Sequence, residues 1–202
     1  MASDEQPFAS IETSLKKAVA AFEHHKVPYL LGGSLAAWAQ GGPESRKDLD
    51  FMIRPEDTER ALDALVDVGM RPERPPEQWL VKAWDGEVLI DLIHEPQGLP
   101  ITDEVIERGR VHNVLGVNVR IMALEDVMVT KLLALDEHSL DYESLLQISR
   151  SVREKVDWAE VRTRTESSPY AKAFFTLIEA LGVVGRPLGD REHEKHVRVR
   201  AV

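Results

Sequence analysis

Two apolar runs, QWLVKAW and EVLIDLI, flank Asp85-Gly86. A two-residue Asp-Gly connection between apolar runs predicts a β-hairpin, with Asp85 and Gly86 as the turn. The second run is apolar enough for a central strand, yet Asp91 sits within Val88–Ile93 as its only polar residue. A lone carboxylate there requires a cationic partner, a metal or a raised pKa. As a plain structural feature it would be a strand-end acid or half of an ion pair, and Asp91 alone does not decide between these readings.

The segments before it alternate between helix and strand periodicity. Ile11, Leu15, Val19 and Phe22 repeat at helical spacing and predict an amphipathic helix over 11–26. VPYLLGG reads as a short strand entering two glycines. Ser34 opens a small-residue helix that stops at Gly41-Gly42-Pro43. LDFMI, 49–53, is a strand, and 55–68 is a helix with Pro55 at its start and Gly69 at its end. A short helix over 102–108 and a hairpin about Gly116 follow. From 123 onward every pattern is helical. This predicts an α+β chain, a mixed sheet flanked by helices over 1–122, then a helical domain over 123–188 and a charged tail over 189–202. The first part carries 13 basic and 21 acidic residues, net −8, and the rest 12 and 14, net −2.

Composition removes several chemistries. There are no cysteines, which excludes disulfides, thiolate metal sites and cysteine nucleophiles, and fits a reducing cytoplasm. The formal charge is 25 − 35 = −10, so a uniformly basic nucleic-acid coat is excluded while a local basic patch is not. Arg150, Arg153, Lys155, Arg162 and Arg164 are a candidate patch of that kind, or an ordinary solvated helical face. No apolar run approaches the ~20 residues that cross a bilayer, and no secretion signal is expected at the N-terminus.

Three local features bear on chemistry. Asp48 and Asp50 alternate on a strand, so both carboxylates share one face while Leu49 and Phe51 point into the core. Two like charges that close favour a cation between them, and oxygen-only ligands suit Mg²⁺ or Mn²⁺. Gly32-Gly33-Ser34 joins strand to helix, where glycines allow close approach of a phosphate; taken alone it is a turn with an N-cap serine. Lys131 lies four residues from both Val127 and Leu135, on or beside an apolar helix face, so it snorkels or meets an anion. The order of the parts changes their weight. Strand, GGS, helix, Asp-x-Asp strand and a later strand with one aspartate together set a phosphate cradle against three carboxylates, the equipment of metal-assisted nucleotidyl transfer.

LLGGSLAAWAQGGPESRKDLDFMI followed by VLIDLI resembles the DNA polymerase β-type nucleotidyltransferase superfamily. VNVRIMALEDVMVTKLLAL and DYESLL are similar to its AbiEii/MenT-type toxin branch, over roughly residues 28–150. The resemblance implies Mg²⁺ (or Mn²⁺) on Asp48, Asp50 and Asp91, with Asp91 also assisting deprotonation. It implies an NTP substrate held by Gly33, Ser34 and Lys131, and Asp141 at the place of a helix aspartate in that branch. Asp141 reads equally well as a helix N-cap. Arg46 stands where those relatives carry Thr or Ser, and with Lys47 it sets cations beside the triphosphate or the acceptor. The expected acceptor is the 3′ end of tRNA, with a cognate antitoxin as partner. The alternatives are a small-molecule, antibiotic-type adenylyltransferase and a non-catalytic nucleotide-binding module.

Overall fold

The computed structural model describes residues 8–45 and 48–185. Its frame is one seven-stranded mixed sheet, ordered β3-β4-β5-β2-β1-β7-β6. The strands are β1 (Tyr29–Leu31), β2 (Leu49–Ile53), β3 (Arg71–Glu73), β4 (Leu80–Asp85), β5 (Val88–Ile93), β6 (Arg110–Val114) and β7 (Val117–Ile121). β2 runs parallel to β5 and β1 parallel to β7; the other pairings are antiparallel.

Alternation along the central strands divides their residues between two faces. Leu49, Phe51 and Ile53 are fully buried, and so are Ile90 and Leu92 at the matching positions of β5. This face is covered by α1 (Phe8–His24) and α3 (Thr58–Asp67), which also pack on each other. Phe22 of α1 meets the rings of Tyr29 and Phe51 at centroid distances of 5.1 and 5.0 Å, so an aromatic cluster fixes the first helix to the sheet. α1 starts at Phe8 and stops at His24, because Lys26, at φ 53°, turns the chain towards Pro28.

The expected helix at 55–68 is a single 3₁₀ turn at Pro55–Asp57 running into α3, closed by Gly69 at φ 86°. The expected hairpin forms, but its turn is displaced by one residue. Asp85 pairs with Val88, leaving Gly86 and Glu87 as the turn. Asp85 stays in the strand because Ser14 and Lys17 of α1 both donate to its carboxylate, at 2.8 and 2.5 Å. β3 was not expected: Arg-Pro-Glu lacks strand periodicity, and its proline is tolerated because β3 is an edge.

Every element after β7 is helical: α5 (Leu124–Leu133), α6 (Tyr142–Val152), α7 (Trp158–Arg164) and α8 (Pro169–Ala180). α5 is the hub, contacting α2 (Gly33–Ala39), α6, α7 and α8. Val127, Met128, Val129 and Leu132 are accordingly buried around most of its circumference. Asp126, only 1% exposed, is compensated by Arg108 of α4 (Asp103–Arg108), which donates twice, and by Arg164 of α7. Gln40 donates to the Met122 carbonyl at 3.0 Å and Lys155 to the Gln40 carbonyl at 2.6 Å, joining the end of α2 to the helical part. No described helix is long and apolar enough to cross a membrane. The charged tail, 189–202, lies outside the described residues.

Candidate active site

The site is built on the sheet face that carries Asp50 and Asp91. These two residues are register partners on adjacent parallel strands, so their side chains stand abreast on one face. Asp48 is exposed just before β2, two residues from Asp50 and therefore on the same side. The three carboxylates act on one another. Burial first, then Asp91 and then Asp48, push the Asp50 carboxyl up to about 7, against the pull of Lys131 and Lys82. Asp91 is also raised, by burial above all, although Lys82 opposes it. A half-buried acid held beside two others has the electrostatics of a cation site.

β1 delivers the glycine turn to that carboxylate. The Gly32 amide donates to the Asp50 carbonyl at 2.7 Å. Gly33 adopts φ +57°, and a Cβ there would fall 1.7 Å from Asp50 Oδ2. Only glycine satisfies both the left-handed backbone and the lack of space. α2 then starts at Gly33, one residue earlier than expected, and its first turn receives no side-chain cap. Ser34 faces the helical part instead. Lys131 Nζ donates to Ser34 Oγ at 3.0 Å, across 97 residues of chain. The lysine of α5 thus stands beside the glycine turn, close enough to lower the Asp50 pKa.

The structure brings together Gly33, Ser34, Asp48, Asp50, Asp91 and Lys131. Asp141 takes the capping alternative, exposed at the start of α6 with Oδ1 accepting from the Ser144 amide at 3.1 Å. Arg46 and Lys47 lie outside the described residues. The candidate basic patch is largely committed to internal pairs. Arg164 binds Asp126 and Glu160, Arg162 pairs with Glu179 and stacks on Phe175, Arg153 pairs with Glu154, and Lys155 holds the Gln40 carbonyl.

Sequence reasoning missed Lys82. It sits on β4 directly opposite Asp91, and its ammonium donates to Asp91 Oδ1 at 2.9 Å. Glu73 of β3 lies opposite Lys82 on its other side, and its Oε2 accepts from Trp84 Nε1 at 2.7 Å.

The oxygen-only donors and their mutual repulsion fit a hard divalent cation. Among the described residues, no three His, Asp or Glu side chains stand as a finished metal site. Asp91 is paired with Lys82 of β4 instead, at 2.9 Å.

The chain belongs to the family described as "Nucleotidyl transferase of unknown function (DUF2204)", whose model matches residues 11–175. No curated protein matches it in sequence. Its fold is similar to the solution structure of the antibiotic-resistance factor ANT(2'')-Ia. That likeness has 16% identity and a TM-score of 0.57, over 86% of this chain and 97% of that one. The crystal structure of ANT(2'')-Ia with adenylyl-2''-tobramycin gives 16% identity and a TM-score of 0.59, over 82% and 97%. A lincomycin-bound lincosamide adenylyltransferase, LnuA, is matched at 18% identity over 67% of this chain and 92% of that one, with a TM-score of 0.48.

Proposed function

We propose that the protein transfers a nucleoside monophosphate from an NTP to the hydroxyl of a small molecule, using Mg²⁺ or Mn²⁺ on Asp48, Asp50 and Asp91. The observation that carries this is the register pair Asp50–Asp91, with Gly33 pressed against the Asp50 carboxylate. A divalent cation bound there neutralises the triphosphate and lowers the pKa of the attacking hydroxyl. Gly33 lets the backbone approach the phosphates, Ser34 adds a hydroxyl donor, and Lys131 offsets the triphosphate charge. The resemblance adds Arg46 and Lys47, which lie outside the described residues, as further cations for the triphosphate or the acceptor. The acceptor oxygen attacks the α-phosphorus, the bond to the leaving pyrophosphate breaks, and Asp91 receives the hydroxyl proton. Asp141 is read here as the cap of α6.

Two observations favour a small acceptor over RNA. The net charge is −10, and the candidate basic patch is spent largely on internal ion pairs. The ANT(2'')-Ia structure, whose ligand is an adenylylated aminoglycoside, supports the same choice. The toxin-branch resemblance supports the other reading, in which a cytoplasmic toxin modifies the 3′ end of tRNA and is restrained by an antitoxin.

Incubation with each α-labelled NTP, Mg²⁺, and either total tRNA or a panel of aminoglycoside and lincosamide hydroxyl compounds tests the proposal. Label on a small compound is expected. Label on tRNA would overturn the acceptor assignment. Absence of both labelled product and pyrophosphate would overturn the transfer reading.

A further inference from the structure

Lys82 occupies a position with two possible partners. The sheet register sets Asp91 on one side of it and Glu73 on the other. Directly opposed residues on neighbouring strands share a face, so all three side chains project to the same side. In the structure the ammonium is given to Asp91, at 2.9 Å, with both side chains shielded from solvent at 22% and 13% exposure. Glu73 is close enough for its charge to act on Asp91. A shielded lysine bonded to the third carboxylate competes with any cation that would use that carboxylate as a ligand.

We propose that Lys82 is a positioning residue that holds Asp91 off the metal site, so that a divalent cation engages Asp91 only by displacing the ammonium towards Glu73. This rests on the metal-dependent reading of Asp48, Asp50 and Asp91. It makes the third ligand conditional: Asp50, beside Gly33, is in place from the outset, whereas Asp91 joins when the Lys82 bond breaks. Binding of metal without nucleotide is therefore weakened by the strength of that bond. A charge-assisted hydrogen bond of this kind corresponds to roughly ten- to a hundredfold in affinity.

The test is Mn²⁺ binding to the metal-free, nucleotide-free protein, followed by electron paramagnetic resonance and calorimetry. Lys82→Gln is expected to tighten Mn²⁺ binding by about ten- to a hundredfold, and Lys82→Arg to restore wild-type affinity. In an Asp91→Asn background, Lys82→Gln is expected to tighten binding far less than in the wild type, by no more than the lysine's direct pull on Asp50, because its main action is through the Asp91 carboxylate. Melting curves confirm that each variant is folded, and if Lys82→Gln is not, Lys82→Met takes its place with the same expected tightening. Equal or weaker Mn²⁺ binding by Lys82→Gln overturns the proposal while leaving the metal site standing. An increase that persists at the same size with Asp91→Asn also overturns it, by showing a general charge effect. No Mn²⁺ binding by the wild-type protein overturns the metal reading and this inference with it.

Discussion

The two faces of β2 and β5 are made by alternate residues of the same ten-odd positions, yet they serve opposite ends. On one face Leu49, Phe51, Ile53, Ile90 and Leu92 are excluded from water beneath α1 and α3. On the other, Asp50 and Asp91 stand side by side at half-buried positions with Lys82 and Lys131 within electrostatic reach. The apolar face gains stability from every contact. The charged face raises the pKa of its own carboxylates, which means that their ionised forms weaken the fold. A strand with period two can do both because a change at one position leaves its neighbour's environment largely intact. Substitutions on the two faces should therefore separate stability from activity.

The largest expected effect is on the apolar face. Phe51→Ala should destabilise the protein by about 3–5 kcal/mol, by loss of a fully buried ring and its contact with Phe22. Chemical denaturation measures this, and the activity per folded molecule should be kept. Gly33→Ala comes next. It forces a side chain into left-handed backbone and into Asp50 Oδ2. Displacing a reacting group by about 1 Å costs on the order of a hundredfold in turnover, so kcat should fall by that much with a smaller change in Tm. A structural role alone would lower Tm and leave kcat intact.

Lys131→Ala should slow transfer by roughly ten- to a hundredfold, the worth of a charge-assisted contact with the triphosphate. The helix should survive, since alanine favours it. A reduced Tm with undiminished rate would reassign Lys131 to packing. The smallest effect belongs to Asp85, at the far edge of the hairpin. Burial works to raise its pKa, but hydrogen bonds from Lys17 and Ser14 prevail and hold it below 3.8. Its contribution is present above the unfolded value and is lost as pH falls below it. Asp85→Asn should cost about 1–2 kcal/mol at neutral pH and flatten the acid side of the stability profile, with no change in turnover.

The contrast between the faces was largely readable beforehand. Apolar runs located β2 and β5, and the order of glycine turn, Asp-x-Asp and lone aspartate singled out the candidate site. Lys82 was hidden by a one-residue displacement of the turn, which moves every cross-strand partner by two. With Asp85 and Gly86 as the turn, Trp84 would pair with Glu87 and Asp91 would face Leu80. Because Ser14 and Lys17 hold Asp85 in the strand, Asp91 faces Lys82 instead. That shift comes from a tertiary contact 68 to 71 residues away, which no local pattern contains. The pairing of Asp126 with Arg108 and Arg164 was equally inaccessible, since it joins three helices through one buried carboxylate. Asp141 showed the reverse case, where a local capping pattern was enough.

Asp50→Asn tests the separation of the two faces most directly. In the metal-free protein burial, Asp91 and Asp48 hold the Asp50 carboxyl at about 7, above its ordinary 3.8. Between those values the folded state binds more protons than the unfolded one, so wild-type stability should fall as pH rises through that window. Tm from pH 4 to 8 in chelator, and nucleotidyl transfer with Mg²⁺, are to be measured on the same preparations. The account predicts that Asp50→Asn matches or exceeds the wild-type Tm at pH 8, loses the decline between pH 4 and 7 attributable to this group, and abolishes transfer. A variant that melts well below wild type at pH 8 while still transferring nucleotide would contradict it.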